Sequence, residues 1–468
     1  MKRKKKNIVL ERVLITDYAA EGKSLARVDG KVVFVENAVP GDLVDILLTR
    51  NKKDWAEGFI TRFHEYSADR VKPFCSHFGI CGGCQWQILP YDKQLEYKQK
   101  QVLDNLTRIG KLDLPAPEPI LGAPERVYYR NKIEYTFSNR AYLLKEELHN
   151  PEIGNFRNVA GFHAKGIFDK IVDIDSCHLQ AEPTNLIRKA VKNWALANQA
   201  SFYDIKLHSG WLRNLQIRLC TTGELMVNLI FGHEEEFKRI RLLDHLLETF
   251  PGITTLLYTL NSKLNDNLYD LYPQVYSGKG YVIETLEDFR FKIGPKSFFQ
   301  TNSRQGEGLY RIVRNFAGLS GRETVYDLYC GTGSIGIFLG RQAGKIIGVE
   351  LVGEAVADAK ENAALNGLDQ ARFFEGDVVR ICDEAFFAEH GHPDVIVTDP
   401  PRAGMHEKLV RKILEMQAPV VVYVSCNPAT QARDLNLLDE KYRVTRIQPV
   451  DMFPHTHHIE NVVQLKLK

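Results

Sequence analysis

The stretch VVVYVSCNPAT carries a run of β-branched residues straight into Ser-Cys-Asn-Pro and delivers one thiol there, Cys426. A lone cysteine closing a strand is most often a small buried hydrophobe. As a thiolate it is a nucleophile, able to add to an electron-poor carbon and split one difficult step into two. That chemistry needs a base in the same crevice. Downstream, DMFPHTHHIENVV offers His455, His457, His458 and Glu460. A loop carboxylate is usually just solvated, and the histidines carry no assignable role. Three further thiols, Cys75, Cys81 and Cys84, stand in PFCSHFGICGGCQWQ as C-x5-C-x2-C, and Cys177 follows in DIDSCHLQ. Four thiolates can hold zinc or an iron–sulfur cluster, and the spacing leaves that choice open. Cys220, Cys330 and Cys382 have no such company and are expected in the core or at the surface.

A second constellation is DLYCGTGSIG, in which a strand runs into Gly331-Thr332-Gly333 and then a helix. Glycines there let the backbone approach a bound ligand closely. Alone, Gly-x-Gly is a tight turn. Here the next strand ends in Glu350, about twenty residues on, where a carboxylate can accept from ribose hydroxyls. Gly331, Gly333 and Gly336 have the Gly-x-Gly-x-x-Gly spacing of a dinucleotide fingerprint, with Asp327 ahead of them. Asp399 in TDPPRAG lies at the end of another apolar run, and Asp377 in FFEGDV after a third. An isolated residue like Asp377 is more often a helix N-cap.

The elements that must position these groups can be read from periodicity. From about Thr285, apolar runs break at Gly, Pro or an acidic residue and alternate with helical segments. That alternation predicts an α/β, doubly wound, Rossmann-like sheet over 285–468, with its ligand at the carboxyl ends of the strands and NVVQLKLK as a closing edge strand. Over 1–66, period-two alternation with Asp29-Gly30 and Pro40-Gly41 turns predicts a small antiparallel barrel. The segment between, 67–284, reads as α+β. It contains the cysteine cluster, a helix in YDKQLEYKQKQVLDNLTRIG that ends at Gly110, and strands such as NLQIRLC and ELMVNLIF.

Composition sets the outer limits. The 468 residues suit two to four domains. A hydrophobic content of 44% with 26% charged residues is that of an ordinary globular protein. No apolar run is long enough for a membrane span. MKRKKKNIVLERVLI has no apolar core of signal-peptide length, so a cytoplasmic protein is expected. A net charge of +2 by itself calls for no polyanion. Locally, Lys2–Lys6, the group Arg50, Lys52 and Lys53, and the mixture RVYYRNKIEYTF place cations beside aromatics, as single-stranded nucleic acid would suit.

Several of these segments resemble known families. EGKSLARVDGKVVFVENAVPGDLV resembles a TRAM domain, a compact OB-like RNA-binding barrel. DLYCGTGSIG, with Asp327 ahead of its glycines, resembles motif I of S-adenosylmethionine-dependent methyltransferases, in which Asp377 would lie near the adenine. FFQTN, DLYCGTGSIG, GVE, DPPRAG, VSCNPAT and PHTHHIE, in that order, resemble the RNA 5-methyluridine methyltransferases. A cysteine makes chemical sense there, because carbon 5 of uracil is a poor nucleophile until a thiolate adds to carbon 6.

The resemblance implies Cys426 as nucleophile, Glu460 as base, and Gln300, Tyr329, Gly331, Glu350 and Asp399 around the methyl donor, with Asp399 also touching the target base. It implies a four-iron, four-sulfur cluster rather than zinc on Cys75, Cys81, Cys84 and Cys177. The partner it implies is 23S ribosomal RNA, bound by a monomer without a membrane. Transfer RNA is the nearest rival, since relatives acting on it generally lack the barrel and the cluster. An RNA-binding protein without catalysis would not need Cys426 and Glu460. Nor would an amine methyltransferase need Cys426, and Arg402 departs from the aromatic that such enzymes place after Asp-Pro-Pro.

Overall fold

The computed structural model describes residues 8–144, 146–149 and 157–468. The basic run Lys2–Lys6 lies outside them. Six strands between Val9 and Glu65 form one sheet wrapped around Val13, Ile15, Ala26, Val33, Val44 and Ile46; it departs from the expected antiparallel pattern where Lys31–Val35 pairs in parallel with Trp55–Glu65. The Ser24–Val28 and Lys31–Val35 strands are joined by Asp29 and Gly30, both at positive φ (50° and 77°). This is the two-residue turn whose twist matches that of a hairpin.

Residues between Lys132 and Gly278 build a seven-stranded sheet, with helices Thr184–Ala197 and Glu236–Thr249 beside it. The strand Lys132–Ser138 corrects one expectation about RVYYRNKIEYTF. Tyr129, Tyr135 and Phe137 are buried in this sheet's core, leaving Tyr128 exposed. Most of these aromatics therefore hold the sheet together and present no stacking surface.

The C-terminal sheet also has seven strands: β1 (Thr324–Leu328), β2 (Lys345–Glu350), β3 (Ala371–Glu375), β4 (Val395–Thr398), β5 (Val420–Ser425), β6 (Tyr442–Val450) and β7 (Glu460–Leu467). Their order is β3-β2-β1-β4-β5-β7-β6. The first five are parallel, and β7 runs antiparallel between β5 and β6. NVVQLKLK is thus an interior strand. Residues 460–465 of β7 are buried, while the edge falls to β6, where Arg443 is exposed and the segment before Leu121 covers the margin through Glu118 N–H to the Ile447 carbonyl (2.8 Å) and Leu121 N–H to the Pro449 carbonyl (2.9 Å).

Two elements that precede this sheet in sequence join its core. The hairpin Val282–Leu286 and Phe289–Ile293 packs Val282, Phe289 and Phe291 against it. Helix α1 (Tyr91–Arg108) buries Val102 and Leu106 against Leu435, Leu438 and Ile447. The buried stripe of α1 is Tyr91, Gln94, Lys98, Val102 and Leu106, spaced by three or four as one helix face requires. Among the described residues no helix is long and apolar enough to cross a membrane.

Candidate active site

Parallel strands β1, β2, β4 and β5 all end on the same edge of the sheet, and the chemistry-bearing residues follow directly. After β1, Tyr329, Gly331 and Gly333 all take positive φ (60°, 53° and 76°) before the helix Ser334–Leu339. A Cβ on Gly331 would meet no protein atom within 4 Å, so this backbone faces open crevice. A Cβ on Gly333 would instead come within 3.0 Å of Ala359 and Phe373. Gly331 N–H donates to Glu350 Oε2 (3.1 Å), and Val352 N–H donates to Oε1 (2.9 Å). The carboxylate at the tip of β2 is thereby tied to the glycine turn.

The crevice between them has a volume of about 950 Å³ and is lined by Asp327, Tyr329, Gly331, Glu350 and Asp399, among others. Asp327 is fully buried. Its Oδ2 accepts from Gly336 N–H (2.8 Å), while Oδ1 is buried without a partner. Burial, reinforced by Asp399 and Glu350, pushes its carboxyl up to about 7. An orphaned acceptor, a bare backbone turn and an anchored carboxylate suit a cationic donor bearing ribose hydroxyls. Gln300 is buried between the lining residues Phe299 and Thr301. Asp377 lies outside this lining and accepts from Val379 N–H (3.0 Å) as a half-exposed N-cap.

Beyond Asp399 lies the thiol. Strand β5 stops at Ser425 because Asn427 caps the helix Pro428–Leu438 and Pro428 occupies its first turn. Cys426 is held at this junction, half-buried. The β5–β7 register pairs Ser425 with Asn461, so the next step outward sets Cys426 opposite Glu460. Burial raises the Cys426 thiol to about 11, Glu460 and Asp399 add to the rise, and Arg402 opposes it. Burial likewise raises both carboxyls, and Asp399 pushes Glu460 further up against the pull of Arg402. The Arg402 carbonyl accepts from Asn427 Nδ2 (3.0 Å) and Thr430 Oγ1 (3.2 Å), stitching the loop after β4 to the one after β5.

Cys75, Cys81, Cys84 and Cys177 line one separate cavity of about 560 Å³, together with Arg130, Thr456 and His458. Burial pushes Cys81 up to about 11 and Cys84 up to about 12, and the other thiols of the group add to both shifts. Among the described residues no group of three or more His, Cys, Asp or Glu is arranged to hold a metal ion. Cys220, Cys330 and Cys382 are buried in hydrophobic cores, as expected. Sequence reasoning missed Lys132, Arg218, Tyr269 and Tyr272, which reach the crevice wall from the middle region. Lys132 and Arg218 lie in stretches quoted above as RVYYRNKIEYTF and NLQIRLC, but nothing in their spacing ties them to the donor crevice, and only the tertiary packing brings the four residues there.

Comparison with known proteins agrees with this geometry. Residues 274–468 match the family model described as tRNA (Uracil-5-)-methyltransferase, and residues 10–60 match the TRAM domain. An uncharacterized RNA methyltransferase of Bacteroides thetaiotaomicron is 52% identical over 96% of this chain and 100% of its own length. One from Chlorobaculum tepidum is 40% identical over 98% and 96%. Among solved structures, the tRNA (uracil-54, C5)-methyltransferase of Pyrococcus abyssi with S-adenosyl-L-homocysteine superposes with a TM-score of 0.74 at 28% identity, covering 97% of this chain and 100% of that one. The chain belongs to the tRNA (uracil-5-)-methyltransferase family of S-adenosylmethionine-dependent RNA methyltransferases, and it carries a TRAM domain at its N-terminal end.

Proposed function

We propose that this protein methylates carbon 5 of a uridine in 23S ribosomal RNA, with Cys426 as nucleophile and Glu460 as base. The observation that carries this reading is the end of the β5–β7 ladder at Ser425 and Asn461, beyond which the thiol of Cys426 and the buried carboxyl of Glu460 come together with Asp399 of the crevice. The Cys426 thiolate, its proton first given up to solvent, bonds through Sγ to carbon 6 of the ring, and the carbon 5–carbon 6 π pair moves onto the carbonyl at carbon 4. Burial raises the Asp399 carboxyl beside this position to about 7, and its protonated form donates a hydrogen bond to the oxygen that gains charge. The bound donor supplies a sulfonium methyl group to carbon 5. Glu460 then removes the proton from carbon 5. The double bond re-forms, the carbon 6–sulfur bond breaks, and the thiolate leaves. A raised carboxyl pKa suits this last role, because a carboxylate that prefers its proton is the stronger base.

Gln300, Tyr329, Gly331, Glu350 and Asp399 are proposed to hold the donor, with Asp377 near its adenine. The four grouped cysteines are proposed to hold a four-iron, four-sulfur cluster. Supporting this is that they ring a cavity, whereas one zinc needs its ligands converging at about 2.3 Å. With every iron taking one thiolate, the group would hold the fold and the RNA surface and take no part in methyl transfer. A transfer RNA substrate is the second reading. It is favoured by the Pyrococcus abyssi tRNA (uracil-54, C5)-methyltransferase, whose structure aligns over 97% of this chain.

The test uses ribosomal and transfer RNA transcripts containing 5-fluorouridine, incubated with enzyme and donor. Fluorine blocks the final proton removal, so a denaturant-stable protein–RNA adduct is expected and should vanish in Cys426→Ala. An adduct with one RNA class only assigns the substrate. Absence of any adduct refutes the chemistry.

A further inference from the structure

Loop 451–459 closes the β6–β7 hairpin, and Val450 is the register partner of Glu460. The position of the carboxyl facing Cys426 therefore depends on how this loop is held. Helix α1 and the chain after Cys84 hold it by polar groups placed where an apolar stripe would be ordinary. Lys98 and Asp451 are both fully buried, with Nζ 2.6 Å from Oδ1, and Lys98 Nζ also donates to the Phe453 carbonyl (3.2 Å). Tyr91 Oη donates to Asp451 Oδ2 (2.8 Å) and accepts from Ala123 N–H (2.6 Å). Gln94 Oε1 accepts from His455 N–H (2.8 Å), while its Nε2 donates to the carbonyls of Trp86 (3.1 Å) and Leu89 (2.9 Å). His455, at φ 65°, accepts on its carbonyl from Gln85 N–H (2.9 Å) and Trp86 N–H (3.0 Å).

We propose that the buried Lys98–Asp451 pair, with Tyr91 and Gln94, is the positioning device for Glu460, fixing the loop that sets this carboxyl opposite Cys426. The proposal rests on Glu460 being the base. Stability alone does not explain the pair, because burying two charges is costly and apolar residues of similar size often serve a fold as well or better. What an apolar pair cannot supply is a directional tether at Asp451, Phe453 and His455. The same tether joins the segment after Cys84 to the base, so the cysteine-lined cavity and the reacting centre share one rigid support.

The variant Lys98→Met/Asp451→Asn removes both charges and keeps an acceptor for Phe453 N–H, which donates to Asp451 Oδ1 (3.1 Å). Its substrate is a transcript, with ordinary uridine, that the wild-type enzyme methylates. Misplacing the base should lower kcat by about tenfold or more, with the KM for the donor little changed. Cysteine attack and methyl transfer come before the base acts, so the methylated protein–RNA adduct should accumulate, as in Glu460→Gln. Unchanged kcat, or a loss of kcat without adduct, would overturn the proposal. Should the double variant not fold, Tyr91→Phe decides: an adduct fraction above wild type supports the tether, and one equal to wild type refutes it. Failure of the underlying reading looks different, since Glu460→Gln itself would then trap no adduct.

Discussion

Cys426 and Glu460 stand one step beyond Ser425 and Asn461, the outermost pair of the β5–β7 ladder, and the Glu460 charge acts on the thiol. Two residues 34 positions apart in sequence thus face each other by register alone. A one-residue slip of β7 would exchange the residues packed in the two cores on either side of the sheet, Val462 in one and Val463 and Leu465 in the other, and break the close packing of both. Strand β7 is buried along residues 460–465, so the register is strongly held. The proposed nucleophile and base owe their juxtaposition to the hydrophobic core beneath them.

That proximity should be visible in the titration of Cys426. Its thiol ionises at about 11 through burial first, then through Glu460 and Asp399, with Arg402 pulling the other way. Iodoacetamide reacts with the thiolate, so below that midpoint its rate at Cys426 should climb roughly tenfold per pH unit. Glu460→Gln removes a charge that raises the pKa, and the profile should shift to lower pH. Arg402→Gln removes the opposing charge and should shift it higher. Peptide mapping of the alkylated cysteine reads all three, and a profile unmoved in both variants would contradict the electrostatics.

Gly331 and Gly333 should separate binding from folding. Both sit at positive φ, so alanine at either costs about 1–2 kcal/mol in backbone strain. At Gly331 the added methyl points into open crevice; at Gly333 it meets Ala359 and Phe373 at 3.0 Å. Gly331→Ala is therefore expected to lose donor affinity with a modest fall in Tm. Gly333→Ala should lose more Tm. Calorimetric titration with S-adenosylhomocysteine and thermal melts distinguish the two, and equal donor affinity in Gly331→Ala and wild type would refute the crevice assignment.

Motif spacing made the ends of β1, β2, β4 and β5 legible in the sequence, because each chemistry-bearing residue follows an apolar run. The barrel was legible for the same kind of reason, its Asp29-Gly30 turn lying between alternating strands. The placement of β7 was not. A final apolar strand reads as an edge or an interior strand equally well, and only its insertion beside β5 settles which. Asp377 carried two readings. Its hydrogen bond to Val379 N–H makes it an N-cap, a role that by itself neither requires nor forbids a ligand. The role of α1 was hidden because Gln94 and Lys98 interrupt its apolar periodicity. A lysine in a buried stripe was the one available signal.

The grouped cysteines give a prediction independent of methyl transfer. Protein purified without air should carry about four irons and matching sulfide per chain. Cys84→Ser should lose most of that iron. Because the group would tie four part-buried thiols from two separate segments together, the metal-free protein should also unfold at lower temperature than the loaded one. Zinc in place of iron, or no metal in protein that methylates RNA at the wild-type rate, would refute the assignment.

The barrel is seated on the loop that carries Glu460, and this contact can be tested on its own. Trp86 Nε1 donates to the Gly22 carbonyl (3.2 Å), and a Cβ on Gly22, at φ 74°, would come within 2.9 Å of His457 Cβ. Gly22→Ala must therefore push the barrel tip and the His457 backbone apart. Core residues such as Val33, Val44 and Ile46 lie away from this tip, so the barrel should fold normally. Displacing the loop at His457 should reduce kcat severalfold, in the same direction as loosening it at Asp451, because misplacement by about 1 Å is enough to slow a reaction. Single-turnover methylation in Gly22→Ala, compared with a variant at the exposed turn residue Gly30, measures the effect. Equal rates in the two would show that the barrel contributes no positioning to the loop.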